Sequence, residues 1–157
     1  MLKEKLREFH RRFISLKGEP RSIAMGMAIG VFVGVTPTIP FHTVIITALI
    51  FISRQNLTAA MIGAWITNPV TLPLFYFAEY EIGRMLLGWE RTALAFGDYG
   101  LSSLLGLGME ILYPLQVGGI VLAPFFAVPA YFLTYRAVAA IRRKRADDDP
   151  ERTAEKV

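Results

Sequence analysis

The 157-residue sequence contains no cysteine, so it offers neither a disulfide framework nor a thiolate metal site, and no clue to a redox compartment. Its two histidines, His10 and His42, stand far apart. It holds no H-E-x-x-H, no G-x-S-x-G, no nucleotide-type glycine-rich phosphate loop, no Cys or His cluster at metal spacing, and no paired carboxylates in its apolar stretches. The expectation is a protein that is not an enzyme and uses no cofactor or metal; lipid-phosphatase chemistry through His42 is the catalytic alternative. The most informative shortage is of charge. Residues 22–53, 55–78 and 111–135 include no Asp, Glu, Lys or Arg, giving windows of 32, 24 and 25 residues. A helix needs about 20 apolar residues to cross a hydrocarbon core of roughly 30 Å, so each window is long enough to span or to dip in and return. A chain of this length makes one soluble domain or a small membrane bundle, and three such windows select the bundle.

The charges that exist gather at the ends. Lys3, Lys5, Arg7, Arg11, Arg12, Lys17 and Arg21 face only Glu4, Glu8 and Glu19 in the first 21 residues, and Arg136 and Arg142 to Arg145 follow the last window. Under the positive-inside rule both termini are cytoplasmic, which requires an even number of crossings. Basic clusters also bind nucleic acid, but their position flanking apolar windows favours anionic lipid headgroups as partner, with no nucleic acid. Leu2, Leu6, Phe9, Phe13 and Leu16 alternate spacings of four and three. This predicts an amphipathic helix lying in the interface; a short coiled-coil seam has the same spacing. No small-residue cleavage site follows, which argues against a signal peptide. The acidic run from Asp147 reads as a solvated tail. The expected organisation is a basic interfacial helix over 1–21, one membrane domain over 22–140 and a charged cytoplasmic tail over 141–157.

Prolines interrupt the first two windows. Residues 22–35 and 41–53 would make helices of about 21 and 20 Å, each too short to span. Pro37 and Pro40 lack N–H donors and push the residues before them out of helical geometry, so two half-helices around a break are predicted. Unpaired backbone at membrane depth is tolerated only against protein or a water-filled cavity. Thr36-Pro37 has the sequence of an N-cap followed by a first-turn proline, and Asn68-Pro69 repeats the device, with Thr71 and Pro73 after it. A loose alignment of the two segments suggests a repeated apolar, proline-break, apolar unit. Such pairs point to binding sites in repeat-built transporters, and half-helix N-termini suit anions. The alternative is that the prolines only kink two spanning helices.

These residues resemble the bacterial family called domain of unknown function 2062. The likeness covers about residues 20–140. It rests on Gly26, Gly30 and Gly34; on Pro37, Pro40 and His42; on Arg54; and on Trp65, Asn68, Pro69, Thr71, Pro73 and Tyr76, with the N-P-x-T-x-P element the most specific. The resemblance implies a small multi-pass protein of the bacterial inner membrane and no particular activity. Glu79 and Glu81 depart from the neutral or basic residues it leads one to expect there.

The expected fold is therefore an all-α membrane bundle with two proline-broken helical hairpins, re-entrant or spanning, and a C-terminal transmembrane helix. Thr36, Pro37, Pro40, His42, Arg54, Asn68, Pro69, Thr71 and Pro73 are candidate binding residues for an anionic group such as a lipid-linked phosphate. Arg54 has snorkelling to the interface as its plainer reading, and His42 a hydrogen bond to the broken backbone. Gly26, Gly30 and Gly34 share a helix face and are read as helix-packing residues. Glu79, Glu81 and Arg84 read as a solvated rim, with Glu81 and Arg84 able to pair. Residues 83–110 read as an interfacial helix pair or a partial crossing. Three windows are few to enclose a cavity, so a homo-oligomer is expected. A transporter or lipid-handling protein is the functional expectation, and a non-catalytic scaffold that recruits a partner is the alternative.

Overall fold

A computed structural model describes residues 18–38, 41–90 and 101–147, with side-chain surroundings in the last helix given for 108–144. The expected interfacial helix (up to residue 17), Pro40 and the acidic tail beyond residue 147 lie outside the described residues. Five helices follow in order: α1 (Pro20–Val35), α2 (His42–Ser53), α3 (Leu57–Ala64), α4 (Leu72–Leu87) and α5 (Leu101–Asp147). There is no strand among the described residues, so the fold is all-α.

Each boundary has a local cause. Pro20 sits in the first turn of α1, where a missing N–H costs little. α1 stops at Val35 because Pro37 holds Thr36 in extended geometry (φ −75°, ψ 134°). The Thr36 hydroxyl donates to the Phe32 carbonyl at 2.8 Å, and its N–H to the same oxygen at 3.1 Å. Thr36 thus closes the C-terminus of α1. This corrects the N-cap expectation: a Thr-Pro pair ends one helix as readily as it begins another. α2 ends on Arg54 in the left-handed region (φ 54°, ψ 38°), a conformation usually left to glycine. Two residues later Asn56 caps α3, its side-chain oxygen accepting from the Ala59 N–H at 2.8 Å. Gly88 (φ 67°) ends α4. Residues 83–110 therefore resolve, where described, into the end of α4, a left-handed stop and the start of α5. α5 continues unbroken through Pro114, Pro124 and Pro129 and runs past residue 140, so the first part of the expected tail is helical.

Packing fixes the direction of every helix. A Cβ on Gly26 would strike the Asn56 carbonyl, one on Gly30 the Ala60 carbonyl, and one on Gly34 would lie 3.1 Å from the Ala64 Cα. The pairs advance together in fours, so α1 and α3 run parallel with backbones in contact, as small residues on one face permit. α2 runs back along the outside of this pair. Its Ile46 and Ile50 join Val33, Ala60 and Ala64 in one cluster, and the Asn56 N–H reaches the Ser22 carbonyl at 3.4 Å, so the chain has returned to the level at which α1 began.

α5 is antiparallel to α1. Gly119 meets Pro37, Ala123 and Ala127 cluster with Val31 and Val35, Val138 packs with Ile23 and Ala59, and the Arg142 guanidinium donates to the Gly18 carbonyl. α4 is antiparallel to α5 as well, through Phe75 on Phe126 (5.2 Å between centroids), Glu79 on Gly118 and Gly83 on Pro114.

The two proline breaks consequently do different things. The first reverses the chain and makes the expected hairpin of α1 and α2. The second does not: α3 and α4 both run against α5 in the same sense, so they form one broken pass along it. The physical reason is which surface each second half finds. α2 buries Ile46 and Ile50 on the α1–α3 pair, whereas α4 buries Glu79 and Gly83 on α5.

Candidate functional site

The breaks meet at a cavity of about 300 Å³. Thr36, His42, Thr43, Thr67, Asn68 and Tyr76 supply its polar groups, and Gly34, Ile46, Met61, Ala64, Trp65, Pro69 and Leu72 the rest. None of these described lining residues is charged. Trp65 is 76 % exposed, so the cavity opens onto the side of the bundle.

On the first side, α2 begins with His42 and Thr43 facing the cavity, and no side chain caps its N-terminus. The N–H groups of a first helical turn have no partner within the helix. The His42 ring is held by a 3.1 Å hydrogen bond between Nδ1 and the Thr38 hydroxyl, which orients its other nitrogen.

On the second side, the turn after α3 is tied by its own side chains. The Thr67 hydroxyl donates to the Gly34 carbonyl at 2.7 Å, joining this break to the end of α1. The Asn68 side-chain oxygen accepts from the N–H groups of Val70 (2.9 Å) and Thr71 (3.2 Å). In return the Asn68 N–H donates to the Thr71 hydroxyl (3.0 Å), which donates to the Ile66 carbonyl at 2.8 Å. The Leu72 N–H then bonds the Asn68 carbonyl at 2.8 Å, starting helical turns that lead into α4. Asn68 therefore acts as a cap with Pro69 next to it, and Pro73 lies in the first turn of α4. Because Asn68 already satisfies these donors, the second half-helix offers fewer free N–H groups than a bare N-terminus, and the two breaks are chemically unequal.

Of the candidate binding residues, the structure brings Thr36, His42, Asn68 and Pro69 to one cavity. Pro37 lies beside it on Gly119 of α5. Thr71 is spent inside the Asn68 turn, and Pro73 belongs to α4 outside the lining. Arg54 sits at the other end of α2, about 18 Å away at 1.5 Å per residue over 12 residues; it is exposed and shares that end of the bundle with Arg21 and Arg142. Gly26, Gly30 and Gly34 lie against the backbone of α3, and Gly34 also lines the cavity. Thr43, Thr67 and Tyr76 are lining residues not among the candidates. The available signal was periodic: Thr43 follows His42 in a first turn, and Tyr76 stands two turns beyond Asn68.

Glu79 is a correction. In place of a solvated rim it is fully buried at 0 % exposure on α5, and neither carboxyl oxygen has a hydrogen-bond partner. Glu81 and Arg84 do pair, at 2.6 Å, on the partly exposed side.

Residues 3–147 match a family model described as an uncharacterized protein conserved in bacteria (DUF2062). No curated protein and no solved structure matches the chain. Within α5, Gly108–Lys144 is long and apolar enough to cross a membrane.

Proposed function

The chain belongs to that bacterial family, and from this premise we propose that it is a twice-crossing inner-membrane protein whose cavity holds the phosphate head of a lipid-linked ligand, in transport or lipid handling. In this reading α5 is one crossing and the broken α3–α4 pass is the other, while the α1–α2 hairpin enters from the cytoplasm and returns. Both ends of the chain then lie on one side, in keeping with the basic residues there.

The observation that carries the reading is the depth of the cavity. The charge-free stretch of α5 runs over residues 111–135 with Ala123 at its middle, and Ala123 packs with Val35 beside the first break. A polar cavity at that level costs free energy unless something polar uses it. Midplane sites at interrupted helices are how repeat-built transporters hold their cargo. The perimeter fits lipid: Phe51, Leu74, Phe125 and Leu133 are each at least 69 % exposed, more apolar surface than a water-facing monomer carries. The uncapped α2 terminus, the Thr43 and Tyr76 hydroxyls and the His42 ring suit a phosphate oxygen. With no cation among the described lining residues, these neutral donors and the helix terminus would hold the phosphate.

Thermal unfolding of the full chain in detergent, with polyprenyl monophosphate, the phosphate-free polyprenol or inorganic phosphate added, tests this. The monophosphate is expected to raise Tm by several degrees, since a ligand at 100 times its Kd adds about 2.7 kcal/mol. Polyprenol alone gives no such shift, and Thr43→Val with His42→Gln removes it while leaving the unliganded Tm near wild type. Equal shifts from polyprenol and its phosphate, or none from either, would sink the proposal. The scaffold reading would then gain, favoured by the shared basic end of Arg21, Arg54 and Arg142.

A further inference from the structure

Glu79 lies in the α4–α5 seam with no exposed surface and, among the described residues, no partner for either carboxyl oxygen. The two backbones approach closely there: a Cβ on Gly118 would strike the Glu79 carbonyl, and one on Gly83 the Pro114 carbonyl. An ionised carboxylate in such a place has no counter-charge and no donor, and carries a desolvation cost that a neutral acid largely escapes.

Among the described residues, the surrounding groups do not supply the missing charge. On α4 itself, Tyr76 stands one turn before Glu79, and Arg84, five residues on, bonds Glu81 and the Trp89 carbonyl through its terminal nitrogens and keeps a buried Nε with no partner among the described residues. On α5, residues 111–130 include no charged side chain, and their one tyrosine, Tyr113, stacks on Trp89 (5.8 Å). On α1 the neighbours at this level are Thr36 and Pro37, neither titratable. Among the described residues, a further titratable group nearby is His42, which lines the same cavity as Tyr76.

We propose that Glu79 is a proton-binding site: the closed α4–α5 seam carries a proton on Glu79, and its release to water loosens the seam and, through Tyr76 one turn away, the wall of the cavity. The step is a simple proton loss to solvent, with no redox partner or covalent change. It does not depend on which ligand the cavity takes, so the ligand test and this one fail independently.

The sign follows from linkage. An exposed carboxyl in the unfolded chain is ionised above pH about 4.3, so folding into the closed seam takes up a proton. Stability then falls as pH rises, by up to a factor of ten in the folding equilibrium per pH unit while the folded chain keeps its proton. The experiment is the Tm of full-length protein in detergent across pH about 5.5 to 8.5, for wild type and Glu79→Gln. The wild-type Tm is expected to fall relative to Glu79→Gln as pH rises, because contributions common to the two proteins drop out of the difference. Parallel profiles would overturn the proposal. A second readout is the infrared carbonyl stretch of a protonated carboxylic acid, expected in wild type at pH about 7, where exposed carboxylates are ionised, and absent in Glu79→Gln. Should that variant not fold, the wild-type band decides alone: its presence supports the site, and its absence overturns it.

Discussion

Gly30→Ala is expected to destabilise the bundle by about 1–3 kcal/mol, the cost of forcing extra volume into a packed interface. Alanine ordinarily improves a helix by up to about 1 kcal/mol over glycine, so the expected sign is opposite to the intrinsic one. The new Cβ would sit inside the Ala60 carbonyl, with the Ala60 carbon and Cα also under 3 Å away. These are backbone atoms, so relief requires α1 and α3 to separate. That separation would also strain the Thr67 to Gly34 hydrogen bond that closes the cavity wall. Gly108→Ala is the control. It lies in α5 with nothing within 4 Å of its added Cβ, and is expected to be neutral or to gain up to about 1 kcal/mol. Thermal unfolding of both variants in one detergent checks the pair; equal stability would mean that the parallel α1–α3 contact does not exist.

Gly118→Ala should be comparably damaging at the other seam. Its Cβ would collide with the Glu79 carbonyl and approach the Gly83 N–H, pushing α4 off α5 by a cost of the same order, about 1–3 kcal/mol. The consequence reaches further than at Gly30, because α4 carries both Glu79 and Tyr76. Loss of Tm together with loss of the pH dependence assigned to Glu79 is the expected joint result. A Gly118→Ala protein of wild-type stability would contradict the close α4–α5 approach.

The helical windows and their breaks were legible because both signals are local. Absence of charge marks the windows, and Pro37 and Pro69 mark the interruptions whatever surrounds them. The glycine stripe was legible for the same reason, since Gly26, Gly30 and Gly34 repeat at helical spacing. Tertiary facts were not legible. Whether a proline break reverses the chain depends on what the next half-helix packs against, and nothing within residues 65–71 states that α4 will meet α5. Thr36 illustrates the ambiguity at one residue: the same dipeptide can close α1 or open α2, and the Phe32 carbonyl decides. Glu79 looked solvated because Glu81 and Arg84 are near it in sequence, while the glycine that buries it lies 39 positions away at Gly118. Of the cavity, the residues beside prolines were found, and Thr43 and Tyr76 were not, because their place in the lining is set by helix rotation.

Because the sequence lacks cysteine, the proposed topology, a hairpin that returns and a broken helix that crosses, is directly measurable. Single cysteines at Gln55, Glu90 and Arg143 in otherwise unaltered protein can be labelled with an impermeant maleimide in intact cells and in inverted vesicles. Gln55→Cys and Arg143→Cys are expected to react only from the cytoplasmic side and Glu90→Cys only from the opposite one. Labelling of Gln55→Cys and Glu90→Cys from the same side would contradict it.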